Sequence, residues 1–327
     1  MEFAPSSCRL PRLDPLRLGW AAGFFDGEGS TIAHAPERNR PYVRLQVVVP
    51  QHGGASPPEV LHRFREAVLG LGEIDGPDDN GMYFWKTEAF EDSQAVVGMM
   101  WSFLGNVKRA QAARAIRRVV DGYRNGILTG RKRRKRWPPH PTHALGESHP
   151  FTADDAERAW AAGFMDAEGC FGLARSRARK RGPAWYRLRV SASQHGEVGR
   201  PADVLRRLHA AFGGVGRIER HGDPDDFKWL AEGEAVIQHV LDRTAPWLGA
   251  VKLAQAAMSV ERFKRQTRLK GDATRCPRGH EYTSVLTPSG DQRKICRPCD
   301  RINSGTRRAA RGIPARQFRD VSRRYNF

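Results

Sequence analysis

Two segments of the sequence carry the residues best suited to chemistry, and the two resemble each other. GWAAGFFDGEGS occupies residues 19–30 and AWAAGFMDAEGC occupies residues 159–170. Both are rich in Ala and Gly and contain Glu-Gly just before their last residue, which predicts a helix that stops at the glutamate. A carboxylate at the C-terminal end of a helix faces the negative end of the helix dipole, which costs roughly 0.3–1 kcal/mol. Glu28 and Glu168 are therefore candidates for a function that offsets this cost.

Small residues four apart in both segments predict that the two helices pack closely. Gly23 and Gly27 share one helix face, as do Gly163 and Ala167, and such residues let two helix backbones approach each other. The two glutamates would then repel each other at short range. A divalent cation between them removes this repulsion, and Mg²⁺ favours one or two carboxylates together with phosphates and water. The alternative is a pair of solvated acids at helix ends.

The similarity extends to three further blocks in the same order. The matches are residues 47–53 with 190–196, 61–74 with 205–218, and 102–113 with 246–257. Four matched blocks in one order indicate a duplication, and a repeat of this length is a small domain rather than a solenoid unit.

Each repeat is predicted to be an α+β domain with the order helix, two strands, helix, two strands, helix. A basic stretch with Pro-Pro separates the repeats and is interpreted as a linker. The predicted parts are a first repeat at 14–130, the linker at 131–153, a second repeat at 154–270, a cysteine-bearing module at 274–303 and a basic tail at 304–327.

The 327-residue chain carries 55 Lys and Arg against 36 Asp and Glu, a formal net charge of +19. Such an excess is typical of proteins that bind a polyanion, most often nucleic acid. An anionic membrane surface is a weaker alternative, because no segment combines a long apolar face with a basic one. We expect no membrane span and no secretory signal. Five cysteines are too few for a disulfide scaffold, so we expect an intracellular protein.

Alternating side chains predict one half-buried strand in each repeat, over residues 42–49 in the first. The polar faces suit a β-ribbon that reads bases in the major groove, where Arg recognises guanine and Gln recognises adenine. A solvated sheet face is the alternative. The candidate DNA-binding residues are His34, Arg38, Arg40, Tyr42, Arg44 and Gln46 in the first repeat, and Arg175, Arg177, Arg179, Trp185, Arg187 and Arg189 in the second.

Near the C-terminus, Cys276 and His280 are followed by Cys296 and Cys299. Two close pairs of soft ligands, separated by a hairpin-like stretch that contains Gly and Pro, suit a closed tetrahedral Zn²⁺ site. The alternative is a set of free cysteines in a loose tail. Because a closed four-ligand site leaves no position for substrate water, we expect the zinc to be structural.

AAGFFDGEG (residues 21–29) and AAGFMDAEG (residues 161–169) resemble the LAGLIDADG motif of the homing endonucleases. Both repeats add Gln-His and Leu-Gly-x-Val-Lys blocks, so the chain resembles the single-chain, two-motif form of that family. The resemblance implies tandem αββαββα domains that form a pseudo-two-fold pair, with saddle-like sheets on DNA. It also implies a monomer that acts as a pseudo-dimer. The C-terminal module resembles small zinc-binding modules appended to phage-type endonucleases.

The resemblance also assigns roles to matched residues. Glu28 and Glu168 correspond to the metal-binding acids, Gln51 and Gln194 to a polar residue after the second strand that positions water, and Lys108 and Lys252 to a basic residue beside the scissile phosphate. A lysine there would offset charge that develops on the phosphate. The alternative for each lysine is an exposed position on an amphipathic helix. Asp26 and Asp166 are interpreted as structural residues that bond backbone amides near the helix end.

The implied activity is that of a site-specific, Mg²⁺-dependent endonuclease that cuts both strands of a long asymmetric or pseudo-palindromic DNA site. We expect the protein to be free-standing or intron-encoded. The alternative is a non-cleaving DNA- or RNA-binding protein on the same fold, either a transcription regulator or an intron maturase. Such relatives commonly lose the paired acids, and both acids are present here, which favours the enzyme.

Overall fold

The computed structural model describes residues 13–36, 43–124, 152–176, 185–271, 280–286 and 292–309. The chain divides into two compact units, residues 1–260 and residues 261–327. The first unit contains the first repeat and the second repeat as far as residue 260, and the second unit contains the whole of the predicted cysteine-bearing module.

The first repeat forms an antiparallel sheet with helices on one face. Its elements are α1 (Pro15–Glu28), β1 (Ser30–His34), β2 (Arg44–His52), α2 (Glu59–Ala67), β3 (Glu73–Asp75), β4 (Met82–Thr87), α3 (Phe90–Met100) and α4 (Asn106–Arg124). The strands lie in the order β1-β2-β4-β3.

The second repeat consists of α5 (Ala153–Glu168), β5 (Gly169–Ser176), β6 (Trp185–His195), α6 (Asp203–Ala211), β7 (Arg217–Arg220), β8 (Asp226–Glu232), α7 (Glu234–Thr244) and α8 (Ala250–Gly271). It has the same topology as the first, with the strand order β5-β6-β8-β7. This agreement confirms the predicted α+β duplication. The second unit contains an antiparallel pair, β9 (Thr283–Leu286) and β10 (Gln292–Ile295), followed by α9 (Arg297–Ala309).

The predicted single helix at the end of each repeat is wrong, because the structure has two. In the first repeat the break falls at residues 101–105, between α3 and α4. The Gly105 amide donates to the carboxylate of Asp26, at 2.8 and 3.0 Å from its two oxygens, and does not continue α3. Apolar spacing continues across the break, so the sequence pattern does not reveal it. Each repeat is therefore αββαββαα.

The helices α1 and α5 pack against each other at the centre of the first unit. A Cβ added at Gly23 would lie 1.9 Å from the carbonyl oxygen of Trp160, and one added at Gly163 would lie 1.9 Å from that of Trp20. No side chain fits at such distances, so the predicted close approach is confirmed. The contact is reciprocal, which gives the two repeats a two-fold relationship.

A buried aromatic core supports this helix pair from both sides. The four largest fully buried side chains are Trp20, Trp85, Trp160 and Trp229. Trp85 on β4 packs edge-on against Phe64 of α2, with ring centroids 4.7 Å apart. Within the described part of the chain, no helix is long and apolar enough to cross a membrane.

Replacing Gly23 with Ala tests the helix contact. We expect Gly23→Ala to lower the free energy of unfolding by about 1–3 kcal/mol or more, because the methyl group overlaps a backbone oxygen. Gly98→Ala is the matched control. Gly98 lies in α3 with nothing within 4 Å of an added Cβ, so this change should stabilise the helix by about 0.5–1 kcal/mol. Urea unfolding measures both, and equal shifts of the two midpoints would contradict the packing.

Candidate active site and nucleic-acid interface

The two glutamates lie side by side where the paired helices end. Glu28 is the last residue of α1 and Glu168 is the last residue of α5. A Cβ added at Gly27 would lie 2.5 Å from Cβ of Ala167 and 3.8 Å from Oε1 of Glu168. The Glu168 carboxylate therefore packs against the last turn of the opposite helix. Small residues at this turn bring the two acids together, as the sequence predicts.

Burial makes the charged forms of both acids costly. It raises the pKa of Glu28 above its ordinary value of 4.5, against the opposing charge of Lys108. Burial, with the charge of Glu28 as the second cause, raises the pKa of Glu168 from 4.5 to about 7. A nearby positive charge would therefore stabilise the charged forms of both carboxylates.

Each glutamate has a glutamine partner on the neighbouring strand. Gln194 Nε2 donates a hydrogen bond of 2.9 Å to Glu168 Oε1, and Gln51 bonds the Glu28 carboxylate. The structure places Gln51 inside β2 and Gln194 inside β6, not after the strands as expected. Because β2 extends to His52, Gln51 shares the inward face with Val47 and Val49 and so points toward the helix end.

In each repeat, a lysine from the last helix completes the cluster of glutamate and glutamine. Lys108 Nζ on α4 donates to the carbonyl of Gly29, and Lys252 Nζ on α8 donates to the carbonyl of Gly169. Those glycines directly follow Glu28 and Glu168. Burial lowers the pKa of Lys108, while nearby carboxylates, Asp26 first, oppose the shift. Neither lysine is the exposed helical residue of the alternative interpretation.

The aspartates hold the repeats together through exchanged hydrogen bonds. Asp26 accepts from the indole of Trp160 at 2.8 Å, and Asp166 accepts from the indole of Trp20 at 2.8 Å. Asp166 also accepts from the Gly249 amide at 2.9 Å, which parallels the bond from Gly105. The expectation that these acids bond backbone amides is confirmed. Burial still raises the pKa of Asp26 to about 6, against those bonds.

Two arginines that the sequence analysis missed cover this network. Arg63 lies over the ring of Trp20, and Arg207 lies over the ring of Trp160, each 3.9 Å from the ring centroid. Arg63 also approaches Asp166 at 3.4 Å, in the opposite repeat. The sequence feature that could have identified them is their matched position in the repeated block that forms α2 and α6.

The outward faces of the two sheets carry the candidate base-reading residues. His34, Arg44 and Gln46 lie on the face of the first sheet away from the buried valines of β2, and Arg187 and Arg189 lie on the corresponding face of the second. Arg175 and Trp185 fall within β5 and β6. The other candidates, Arg38, Arg40, Tyr42, Arg177 and Arg179, lie outside the described residues.

Two glutamates on these faces were also missed. Glu88 contacts Arg44 at 3.2 Å, and Glu232 contacts Arg187 at 3.3 Å and Arg189 at 2.6 Å. Their signal was their matched position, because Glu88 and Glu232 are equivalent residues of the two repeats, as are Trp85 of β4 and Trp229 of β8. Acidic residues on a basic surface orient the arginines that surround them.

Three of the four predicted zinc ligands come together in the second unit. The ligand atoms of His280, Cys296 and Cys299 all lie within 4.8 Å of one another. His280 Nδ1 lies 3.4 Å from Cys299 Sγ. Cys276, the fourth predicted ligand, lies outside the described residues.

Neither a protein-family model nor a curated protein matches the sequence. Solved structures do match. The I-SmaMI LAGLIDADG homing endonuclease bound to cleaved DNA gives a TM-score of 0.58 at 14% identity, covering 80% of this chain and 93% of that one. I-AabMI bound to uncleaved DNA gives 0.55 at 16% identity, covering 78% and 91%. I-GzeII in complex with its DNA target gives 0.53 at 15% identity, covering 78% and 93%.

The chain has the LAGLIDADG homing endonuclease fold. In this fold the paired α1 and α5 are the two motif helices, and their last residues are the glutamates that the sequence analysis singled out. The matched Glu, Gln and Lys clusters therefore lie at equivalent points of the two halves.

The raised pKa of Glu168 predicts a pH dependence of stability without metal. Between about 4.5 and about 7 the folded protein retains a proton that the unfolded chain has lost, so stability falls as the pH rises through this range. Glu168→Gln removes that loss. In EDTA we expect the variant to exceed the wild type by up to about 3 kcal/mol near pH 8, and to match it near pH 4.

Urea unfolding at several pH values measures this difference. Glu66→Gln, a change of an exposed carboxylate on α2, is the control and should leave the wild-type pH dependence intact. The same slope in wild type and Glu168→Gln would contradict the assignment.

Proposed function

We propose that the chain is a site-specific double-strand DNA endonuclease. The observation that carries this proposal is the matched pair of Glu, Gln and Lys clusters, since two equivalent hydrolytic centres suit the two strands of a duplex. Similar structures include endonucleases bound to cleaved and uncleaved DNA. A transcription regulator or maturase that does not cut DNA would gain nothing from two half-buried carboxylates that repel each other.

Glu28 and Glu168 would hold Mg²⁺, and the site fits that ion. Carboxylate oxygens are its preferred ligands, and both carboxylates have pKa values raised by burial, so a cation beside them favours the charged forms. When bound, Mg²⁺ would supply an activated water for in-line attack and stabilise the leaving oxygen.

The protein's own groups orient the acids and balance charge on the phosphate. Gln194 holds one oxygen of Glu168 through its amide nitrogen, which leaves the other oxygen of that carboxylate for the cation. Lys108 and Lys252 stay beside the acids through their bonds to Gly29 and Gly169. An ammonium group in this position would stabilise negative charge that develops on the phosphate oxygens in the transition state.

The outward sheet faces would supply DNA affinity and sequence recognition. The partner is double-stranded DNA with a long asymmetric or pseudo-palindromic site, because the two repeats are related but not identical. One chain supplies both halves and acts as a monomeric pseudo-dimer in the cytoplasm of a bacterial or phage-infected cell. The net charge of +19 supports binding to a polyanion.

His280, Cys296 and Cys299, with Cys276 as a fourth ligand, would hold a structural Zn²⁺. Three soft ligand atoms within 4.8 Å support this site. A segment this short has little apolar core, so the ion would stabilise its fold. Arg297 and Arg301 on the exposed surface of α9 would then contact DNA phosphates.

The double variant Glu28→Gln and Glu168→Gln tests the nuclease mechanism. Cleavage of target DNA should fall below about one-thousandth of the wild-type rate, because the amides do not hold the cation. Specific DNA binding should remain, because the sheets supply affinity. The control changes Glu59 and Glu66, two exposed glutamates of α2, to Gln and should cut normally. Wild-type cleavage by the first variant would sink the mechanism.

Elemental analysis tests the zinc site. The intact chain should contain one Zn²⁺, and Cys296→Ser should lose it, bind DNA more weakly and show a shallower dependence of affinity on salt. Cys170→Ser is the control, because Cys170 is an exposed cysteine of the second repeat, and it should retain the zinc. A zinc-free intact protein would refute the site.

A further inference from the structure

Each sheet face carries the same hydrogen-bonded pair of an arginine and a glutamate, which we call the frame: Arg44 with Glu88 in the first sheet and Arg187 with Glu232 in the second. In the first sheet, Arg44 NH1 donates to Glu88 Oε2 at 3.2 Å. In the second, Arg187 NH1 donates to Glu232 Oε2 at 3.3 Å. The same atoms are joined at nearly the same distance, so the frame belongs to the duplication.

The other oxygen of each acid holds a residue that differs between the repeats. Glu88 Oε1 accepts from Gln46 Nε2 at 3.2 Å. Glu232 Oε1 accepts from Arg189 Nε at 3.0 Å and from its NH2 at 2.6 Å. Gln46 and Arg189 occupy equivalent positions on β2 and β6, each two residues after the frame arginine. The frame is thus constant, and the residue that it positions changes.

The hydrogen bonds of Gln46 leave it with the pattern that adenine requires. Its Oε1 lies 2.8 Å from His34 Nε2, which must donate because the amide oxygen only accepts. One of the two hydrogens on Nε2 is donated to Glu88. The other hydrogen on Nε2 can be donated to a further partner, and the second lone pair of Oε1 can accept from one. One donor and one acceptor match the N7 and N6 groups of adenine in the major groove.

The hydrogen bonds of Arg189 leave it with donors alone. The guanidinium has five N–H groups, and Glu232 accepts from Nε and NH2. The remaining N–H groups on NH1 and NH2 form an edge of donors. Two acceptors, N7 and O6 of guanine, match that edge, whereas adenine presents an acceptor beside a donor.

We propose that Glu88 and Glu232 are positioning residues for base recognition, and that Gln46 reads adenine in one half-site where Arg189 reads guanine in the other. This inference rests on the proposed function. Because the helix contact relates the repeats by two-fold symmetry, the two base pairs lie at equal distances from the centre of the target. The target therefore departs from a palindrome at a defined pair of positions.

A binding selection from randomised DNA duplexes in EDTA tests this pairing with the full chain. The wild type should enrich sequences with A·T at one position and G·C at its symmetric counterpart. Gln46→Arg should convert the first to G·C, and Arg189→Gln should convert the second to A·T, each with about a ten-fold or larger change in relative affinity. The same base pair at both positions, or no response to either substitution, would overturn the inference.

The role of the acid is tested with Glu232→Ala. We expect its preference at the Arg189 position to fall at least about five-fold while affinity for unrelated DNA is kept or rises, because a negative charge has left the surface. Glu66→Ala removes a carboxylate from the opposite side of a sheet and should change neither. If Glu232→Ala keeps full discrimination, the positioning role is wrong.

The possible outcomes distinguish a failure of this inference from a failure of the proposed function. Enrichment of a defined sequence without the adenine and guanine pattern would overturn the inference and leave the nuclease proposal standing. If the wild type enriches no sequence, both fall. Urea unfolding of every variant should remain a single cooperative transition, which shows that a lost base preference does not come from an unfolded chain.

Discussion

The backbone contact between α1 and α5 is the constraint on which the rest of the molecule depends. Gly23 and Gly163 each face a carbonyl oxygen of the opposite helix, at a distance that excludes any side chain. This approach brings the ends of both helices together and aligns two sheets about one axis. The glutamates come together because of that contact, and each lysine lies beside them because it bonds the glycine that follows the glutamate of its own repeat.

Four acids lie at this contact, and the two pairs differ, because Asp26 and Asp166 are buried whereas Glu28 and Glu168 are half-buried. Asp26 and Asp166 receive indole and amide hydrogen bonds, so they serve the fold. Glu28 and Glu168 receive one amide each from a glutamine and stand where a cation can reach them. The second pair lowers the free energy of unfolding at neutral pH, because burial raises the pKa of Glu168 to about 7. In the proposed function, a divalent ion would make this otherwise unfavourable arrangement favourable.

The repetition of local patterns explains what the sequence predicts well. Glu28, Glu168 and the lysines lie in blocks that occur twice, and strand alternation correctly separates inward from outward residues. Interactions between distant residues leave no such trace. The break before α4 depends on Asp26, 79 residues earlier. Glu232 reaches Arg189 across 43 residues, and only the paired strands bring them together. Candidates outside the described residues, such as Arg38 and Cys276, stay predictions.

Two exchanged hydrogen bonds, Trp20 with Asp166 and Trp160 with Asp26, limit how one half of the molecule can be replaced during evolution. Each half of the molecule completes the hydrogen bonding of the other, so neither half is chemically self-sufficient at its buried acid. A gene fusion or recombination event that replaces one half must bring in both a tryptophan and an aspartate at the matching positions. The halves are then free to diverge on their outer sheets while the central pair stays compatible, which allows new specificities to arise by shuffling.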